Sequence, residues 1–300
     1  MENRRNFIKK TSLLSLGIAS YSFTSPLIKN IGGVDISVIT YSFKPGLEDM
    51  ETIIQYCLDS NSDNIELMGS HVERSMGMPR SRKDSPDWRS NVSMNEFKKV
   101  KKAFNEKGIN IFAYKPPCMG TRNKDEEIEY AMKATKALRA DYVTTELTDE
   151  TNTKRISYYA EKYKVKVGYH AHLQASDTAW DFALSSSNNS YINLDIGHYI
   201  AAGGENTKET LLKFIENNHS RICSLHLKDR QAGKTMNPTG SDNQIWGEGD
   251  TPIKEVLLLM QKNSYDFTAT IELEYRIPEG SNVVKEVIKC MNYCKAVLDS

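Results

Sequence analysis

The chain has 300 residues, which corresponds to one large domain or two small ones. Its 39 basic and 39 acidic side chains cancel, and this balance argues against a nucleic-acid binder that depends on neutralising phosphates. A hydrophobic content of 39% argues against a disordered chain and indicates a packed core. The five cysteines show neither a C-x-x-C pair nor a regular spacing, so they predict no zinc ribbon and no disulfide framework.

The first thirty residues differ in composition from the rest of the chain. Arg4 and Arg5 precede a short, weakly apolar run over 13–23. This order is typical of a signal peptide, and the paired arginines resemble a twin-arginine export signal. We expect residues 1–30 to be this signal and residues 31–300 to be a periplasmic or otherwise exported domain without a stable membrane span. The alternative is an amphipathic N-terminal helix.

From residue 34 onward, strand and helix patterns alternate. Strands are predicted over 34–41, 64–68, 110–115, 141–146, 165–172, 191–198, 221–229 and 267–275. Helices are predicted over 47–60, 94–107, 125–139, 152–163, 177–186, 207–217, 252–262 and 283–298. Such alternation implies parallel strands joined by right-handed crossovers. Eight units predict an α/β fold, a single-domain (β/α)8 TIM barrel. An open doubly wound sheet is the alternative, but no glycine fingerprint follows any strand.

Two predicted βα loops are long, and each contains a tryptophan. They cover residues 70–91, with Trp88, and residues 230–250, with Trp246. Long loops on the catalytic face of a barrel commonly line or cover a site. We therefore expect both loops to line the site and Trp246 to contact the substrate, with a solvated insertion as the alternative.

Polar side chains occupy the carboxyl ends of the last four predicted strands. They are His170 and His172, then Asp195, then His226 and Lys228, and finally Glu272 and Glu274. Residues two apart in a strand point to the same face, so each pair shares a direction. A carboxylate at the end of a buried strand is costly unless it is paired or bound to a metal. Reactive groups of a TIM barrel lie at these strand ends, so we expect one shared site.

This ligand chemistry predicts one divalent metal. We expect it to be held by His170, Asp195, His226 and Glu272. Mixed carboxylate and imidazole ligands suit Mn, Co, Fe, Ni or Zn, and the sequence does not choose among them. Two exchanges stay open, because Glu274 could replace Glu272 and His172 could replace His170.

A metal in the barrel mouth can polarise a carbonyl or hold an enediolate, and removal of the adjacent proton then needs a base. His172 is the first candidate for that base. Lys228 is expected to stabilise a developing oxyanion or to bind a hydroxyl, unless it pairs with Asp229 or another acid. Glu146 ends strand four and is a candidate base or fifth ligand, with a surface acid as the alternative.

The remaining candidates are expected to line the substrate pocket. They are His198, just beyond strand six, Lys115, at the end of strand three, Glu66, in strand two, and Glu274 and Trp246. The hydrolase motif G-x-S-x-G and a phosphate-cradling glycine loop are both absent from the sequence, so neither serine hydrolysis nor a phosphosugar is indicated.

At these positions the sequence resembles the xylose isomerase-like TIM-barrel superfamily, often called the sugar phosphate isomerase/epimerase family. Residues 169–172 resemble its Y-H-x-H segment, residues 195–198 its D-x-G-H, and residues 224–229 its H-x-H-L-K-D. Residues 246–249 resemble its late glycine turn, and residues 271–275 resemble the closing strand that brings the final metal glutamate. The likeness covers about residues 34–298 and is closest to the inosose dehydratase and 3-keto-glycoside lyase branches.

The resemblance implies a single Mn-, Co- or similar metal bound by two acids, a histidine and a further acid. In epimerase members strand five supplies that further acid, whereas this chain has His170 and His172 there. The departure speaks against ketose 3-epimerisation, which uses paired glutamates, and favours the branches that eliminate or hydrate at a keto-sugar.

We therefore expect an isomerase, epimerase or lyase that acts on a keto-sugar or a 3-keto-glycoside. Two alternatives stand beside it: a non-catalytic exported sugar-binding barrel, and a metal-dependent endonuclease of the same superfamily. The balanced charge of the chain disfavours the endonuclease. The expected partner is a small carbohydrate rather than nucleic acid, and a homo-oligomer stays open.

Overall fold

The computed structural model describes residues 30–43, 49–81, 83–233 and 242–300. Eight parallel strands form the barrel: β1 Val34–Ile39, β2 Asn64–Met68, β3 Asn110–Lys115, β4 Tyr142–Glu146, β5 Lys166–His170, β6 Ser190–Asp195, β7 Ile222–Leu227 and β8 Thr268–Ile271. Each strand pairs with the next, and β1 pairs with both β2 and β8. The sheet is therefore closed, and the predicted TIM barrel is confirmed.

The helices of the described residues surround this barrel. They are α1 Met50–Asp59, α2 Gly69–Glu73, α3 Ser85–Asn91, α4 Met94–Glu106, α5 Asp125–Leu138, α6 Glu150–Tyr163, α7 Asp181–Ser186, α8 Ile196–Ala202, α9 Lys208–Asn218, α10 Ile253–Asn263 and α11 Val283–Leu298. The eight predicted helices correspond to α1, α4, α5, α6, α7, α9, α10 and α11. Across the described part of the chain, none of the helices is long and apolar enough to cross a membrane.

Three short helices were not predicted. Residues 70–91 are not a loop, because they contain most of α2 and all of α3. The predicted strand over 191–198 is too long, since β6 ends at Asp195 and α8 begins directly at Ile196. Asp195 caps α8 by accepting a hydrogen bond from the amide of His198 at 2.7 Å. Helices of five to seven residues are too short to show a helical period.

The second predicted loop is partly ordered by a small antiparallel pair. Asp229–Arg230 pairs with Asn243–Gln244, which brings the two ends of the segment after β7 together.

Residues 234–241 lie outside the described residues. So does the predicted export signal at 1–30, except for Asn30, which pairs with Asp35 beside the barrel. Export and homo-oligomer formation stay predictions.

The interior of the barrel is polar, and its polar groups pair across strands. Ser37 donates to Thr270 at 2.8 Å, and Asn193 donates to Ser224 at 2.6 Å. The alternate positions of the strands are apolar and pack under the helices, as the period of two requires. A polar interior allows ionisable groups to stand at the barrel mouth with partners below them.

A buried ion network attaches the α2–α3 segment to the barrel. The guanidinium of Arg89 in α3 lies 2.9 Å from Glu73 of α2 and 2.9 Å from Glu127 of α5. Tyr130 of α5 donates a further hydrogen bond to Glu73 at 2.8 Å. Because both carboxylates are buried, the single arginine compensates two charges that water does not reach.

We predict that Arg89→Met lowers the free energy of unfolding by about 3–5 kcal/mol, because it leaves two buried carboxylates without a cation. Urea unfolding at neutral pH measures this loss. The control is Lys99→Met, which removes an exposed ion pair with Glu96 and should cost less than about 1 kcal/mol. Equal losses in the two variants would contradict the role given to Arg89.

Candidate active site

The ammonium group of Lys228 is the centre of the charged cluster at the barrel mouth. Its Nζ atom lies 2.9 Å from Asp195, 2.8 Å from Glu272 and 2.8 Å from Glu274. Burial alone would lower the pKa of Lys228, but these carboxylates outweigh it and hold the pKa well above its usual value. Lys228 is therefore a fixed positive charge. Its neighbour Asp229 instead accepts hydrogen bonds from the backbone amides of residues 247, 249 and 251.

His226 lies between two carboxylates. Its Nε2 atom is 2.8 Å from Glu66, and its Nδ1 atom is 3.0 Å from Glu272. Burial lowers the pKa of His226, but the two carboxylates outweigh burial and raise the pKa to about 10. Glu66 also accepts a hydrogen bond from Thr144 at 2.5 Å and has no exposed surface. Glu66, which was predicted to bind substrate, thus stands behind His226.

His170 differs from His226 because its neighbour is an amide. Asn193 uses its Nδ2 atom to donate to Ser224, so its Oδ1 atom, 2.8 Å away, accepts from Nδ1 of His170. Burial, with the nearby charge of Lys115, holds the pKa of His170 well below its usual value, so the ring is neutral. Its Nε2 atom therefore carries a lone pair, and it lies 3.8 Å from Asp195.

Three of the four predicted metal ligands converge. Single ligand atoms of His170, Asp195 and His226 all lie within 4.8 Å of one another, and Glu272 contacts His226. Within the described residues, Oδ2 of Asp195 is buried and makes no hydrogen bond of acceptable geometry, although Lys228 lies nearby. A buried carboxylate oxygen beside an imidazole lone pair suits a divalent cation, so the residues fit the metal. A ligand histidine must be neutral, so metal binding would require His226 to release a proton.

His172 is the more exposed histidine of the mouth. Its side chain is 44% exposed, and its Nε2 atom lies 3.5 Å from Glu146. Glu146 in turn lies 3.0 Å from the ammonium of Lys115. The ring of His172 lies 4.9 Å from the ring of His170 and 4.6 Å from that of His198. The structure thus places the candidate base, its carboxylate and a lysine at the edge of the charged cluster.

His198 reaches the same cluster from α8. Its Nε2 atom lies 3.3 Å from Nζ of Lys228. Gly197 is required beside it, because a Cβ atom there would stand 2.4 Å from Cγ of Lys228. Glycine at position 197 thus permits the close contact between α8 and Lys228, which follows β7.

Tyr41 is a site residue that the sequence reading missed. It lies in a short 3-10 helix, Thr40–Phe43, directly after β1. Burial and the charges of Glu274 and Glu272 raise the pKa of its phenol to about 12, and the phenol hydrogen-bonds to Glu274. Its position directly after a barrel strand is the sequence signal that identifies Tyr41 as a candidate site residue.

The two loop tryptophans have packing partners. Trp246 is buried and meets Tyr293 of α11 edge-on at 5.7 Å, and Trp88 meets Tyr130 of α5 at 6.3 Å. Trp246 therefore belongs to the hydrophobic core, and its predicted contact with substrate stays a prediction. Lys115 and Glu146 are the last residues of β3 and β4, as predicted.

A closed barrel with carboxylate, imidazole and ammonium groups at the carboxyl ends of its strands defines a TIM-barrel protein with a polar mouth. A family model described as the xylose isomerase-like TIM barrel matches residues 69–294. The chain belongs to this family, which confirms the resemblance seen in the sequence.

Solved structures agree with this assignment. The IOLI protein with a binding zinc atom is 15% identical, with a TM-score of 0.63 and coverage of 88% of this chain and 98% of that chain. The probable 3-DHS dehydratase AsbF from Bacillus anthracis is 15% identical, with a TM-score of 0.62 and coverage of 86% and 98%.

A sugar phosphate isomerase/epimerase from Parabacteroides distasonis is 16% identical, with a TM-score of 0.59 and coverage of 87% of this chain and 95% of that chain. Likeness at such low identities shows the fold. No curated protein matches the chain.

His71, in the short helix α2 that follows β2, is a further buried histidine that the sequence reading did not single out. Its Nδ1 atom lies 3.0 Å from the hydroxyl of Thr40. Burial lowers its pKa from 6.5 to about 4. The folded protein therefore holds His71 neutral at pH values where the unfolded chain binds a proton.

We predict that this histidine makes the fold sensitive to acid. As the pH falls from 6.5 to about 4, the unfolded state takes up the proton first, so stability decreases. The loss is about 1.4 kcal/mol per pH unit within that window. Urea unfolding of the wild type and of His71→Gln at pH 7 and pH 5 measures the difference. An identical pH slope in both proteins would remove His71 as the cause.

Proposed function

We propose that the chain is an enzyme that acts on a keto-sugar or a 3-keto-glycoside. It removes a proton next to the carbonyl, which leads to isomerisation, epimerisation or β-elimination. The observation that carries the proposal is a half-exposed histidine, His172, backed by Glu146 and adjoining a buried cluster that holds a fixed positive charge. A base beside a cation is the arrangement that removal of a proton next to a carbonyl requires.

His172 is assigned the role of general base. Glu146 orients the imidazole and stabilises the positive charge that the ring gains with the proton, as a carboxylate behind a catalytic histidine does. Lys115 holds Glu146 at 3.0 Å and limits its freedom to rotate. Lys228 and Tyr41 provide an ammonium and a phenol for the oxygen atoms of the substrate.

The proposed metal site consists of His170, Asp195, His226 and Glu272. When bound there, a divalent metal would polarise the substrate carbonyl and so acidify the adjacent proton. Manganese, cobalt and zinc all suit these ligands. The zinc atom in the similar IOLI structure supports a metal in this kind of barrel.

The neighbouring structures support the substrate class. Their descriptions name a probable dehydratase and a sugar phosphate isomerase/epimerase. Elimination and isomerisation share the same first event, the removal of a proton next to a carbonyl. The His172–Glu146 arrangement serves that shared event, and the substrate's leaving group decides which product forms.

The first experiment measures metal content and turnover together. We expect one divalent ion per purified chain and release of the aglycone from 3-keto-glucosides. His226→Ala should lower the metal content to background, because it removes a ring from the centre of the ligand set. A variant that keeps stoichiometric metal would contradict the assignment. Binding of the sugar without any turnover would favour the sugar-binding barrel instead.

We predict that His172→Asn lowers kcat about 100- to 10,000-fold, because general base catalysis is lost. The metal content should stay unchanged, since His172 is not in the assigned ligand set. Glu146→Gln should give a smaller loss in kcat, because the base remains but its carboxylate does not.

The matched control is His219→Asn, which changes an exposed histidine directly before β7, at the opposite end of the barrel. It should retain wild-type kinetics. If His172→Asn retained wild-type kcat, a different base would have to be sought.

A further inference from the structure

A groove lies beside the charged cluster, on the same face of the barrel. One wall is the loop that follows β5, and the other is formed by the end of α8 and the loop that leads into α9. The residues that line it are 173–178, Ala202, Gly203, Glu205, Asn206 and Thr210. Its volume of about 530 Å³ is within the range of roughly 300–1,000 Å³ found for small-molecule sites. None of the residues assigned above to catalysis or metal binding lines it, so it is additional space for a ligand.

The groove adjoins the candidate base. Leu173 follows His172 directly, and the amide of His172 donates to Oε1 of Gln174 at 3.0 Å. On the other wall, Ala202 comes one helical turn after His198, about 6 Å along the axis of α8. The rings of His172 and His198 lie 4.6 Å apart. The two walls therefore meet at this ring pair, and a ligand that extends past the rings enters the groove.

Hydrogen bonds between the walls hold the groove in shape. Asn206 uses its Nδ2 atom to donate to the backbone oxygen of Ala175 at 2.8 Å and to that of Tyr199 at 2.9 Å. The phenol of Tyr199 donates to Asp177 at 2.5 Å. These contacts join the loop after β5 to α8 and to the loop before α9. The groove is thus preformed, so little binding free energy is lost in ordering it.

The polar groups of the groove suit a neutral ligand that is rich in hydroxyl groups. Ser176 and Thr178 supply hydroxyls, and Glu205 supplies a carboxylate. Within the described part of the chain, these three side chains form no hydrogen bond or ion pair, so they are available to a ligand. The lining contains neither lysine nor arginine, so a phosphate or a carboxylate would find no cation there. Sugar hydroxyls both donate and accept, and they match this set of groups.

We propose that this groove is a subsite for a second sugar unit, bound through its hydroxyls, and that the preferred substrate is a 3-keto-disaccharide rather than a free keto-sugar. The position of the keto ring against His172 rests on the proposed function, whereas binding of a sugar in the groove does not. Contacts remote from the reacting atoms contribute binding free energy that holds the keto ring at the base.

Kinetics on matched substrates test the subsite. The substrates are methyl 3-keto-glucoside, benzyl 3-keto-glucoside, and cellobiose and maltose with the keto group on the non-reducing ring. We expect kcat/KM of the wild type to be about 10- to 100-fold higher for the better disaccharide than for the methyl glucoside. Equal values, or a preference for the benzyl glucoside over both disaccharides, would overturn the proposal.

Two variants assign this preference to the groove. Ala202→Phe places a ring in the groove, and Glu205→Ala removes an exposed carboxylate from its lining. Each should lower kcat/KM for the disaccharide about 10-fold more than for the methyl glucoside, because contacts to the second sugar are lost. Glu205→Ala also covers the case in which Ala202→Phe does not fold. An unchanged preference in either folded variant would refute the subsite.

The matched control is Glu216→Ala, which removes an exposed carboxylate near the other end of α9, outside the groove. It should retain the wild-type preference for the disaccharide. A loss in this control as large as that in Glu205→Ala would refute the assignment to the groove.

Binding of unoxidised cellobiose and maltose separates the subsite from the proposed function. In NMR of nitrogen-labelled protein, we expect at least one of these sugars to shift the backbone amides of residues 173–178 and 202–206. Ala202→Phe should weaken that binding about 10-fold. The absence of such shifts with both sugars would overturn the subsite, even where keto-glycosides are turned over. Shifts without turnover of any keto-glycoside would contradict the proposed function and leave the groove as a sugar site.

Discussion

The compensation of buried charge around Lys228 is the constraint on which the site depends. Isolated carboxylates in a barrel interior would be too costly, and removal of one partner from such a cluster leaves the others uncompensated. Asp195 ends β6, Lys228 follows β7, and Glu272 and Glu274 follow β8, so the cluster ties three adjacent strands together at the mouth. Asp195 also caps α8, which places His198 over the same cluster.

Within this cluster, the immediate neighbours decide the charge of each histidine. His226 lies between two carboxylates and is charged. His170 faces an amide oxygen and is neutral, with its lone pair toward the mouth. His198 lies between the guanidinium of Arg230 and the ammonium of Lys228, and burial together with Lys228 lowers its pKa, so it is neutral. Three histidines in one cluster thus differ in charge, and the difference follows from the residues that contact each ring.

The sequence predicts the barrel well because each strand and long helix has its own local pattern. The four strand ends with polar residues also predict where the site lies, since parallel strands end at one edge. The short helices α2, α3 and α8 are too brief for a period to be visible. Partners such as Glu66 for His226, 160 residues apart, cannot be read locally, because the closure of the barrel brings them together. Tyr41 is different, because its position directly after β1 is a local signal.

The balance of charge gives a physical reason for the proposed metal. Five carboxylates surround three cations at the mouth. The acids are Glu66, Glu146, Asp195, Glu272 and Glu274, and the cations are Lys115, His226 and Lys228. An excess of negative charge in a buried site raises the cost of keeping every acid ionised. Burial accordingly raises the pKa of Asp195, the acid whose Oδ2 atom lacks a well-formed hydrogen bond among the described residues. A proton and a divalent cation both relieve the excess at this carboxylate, so the metal would compete with protons for one oxygen atom.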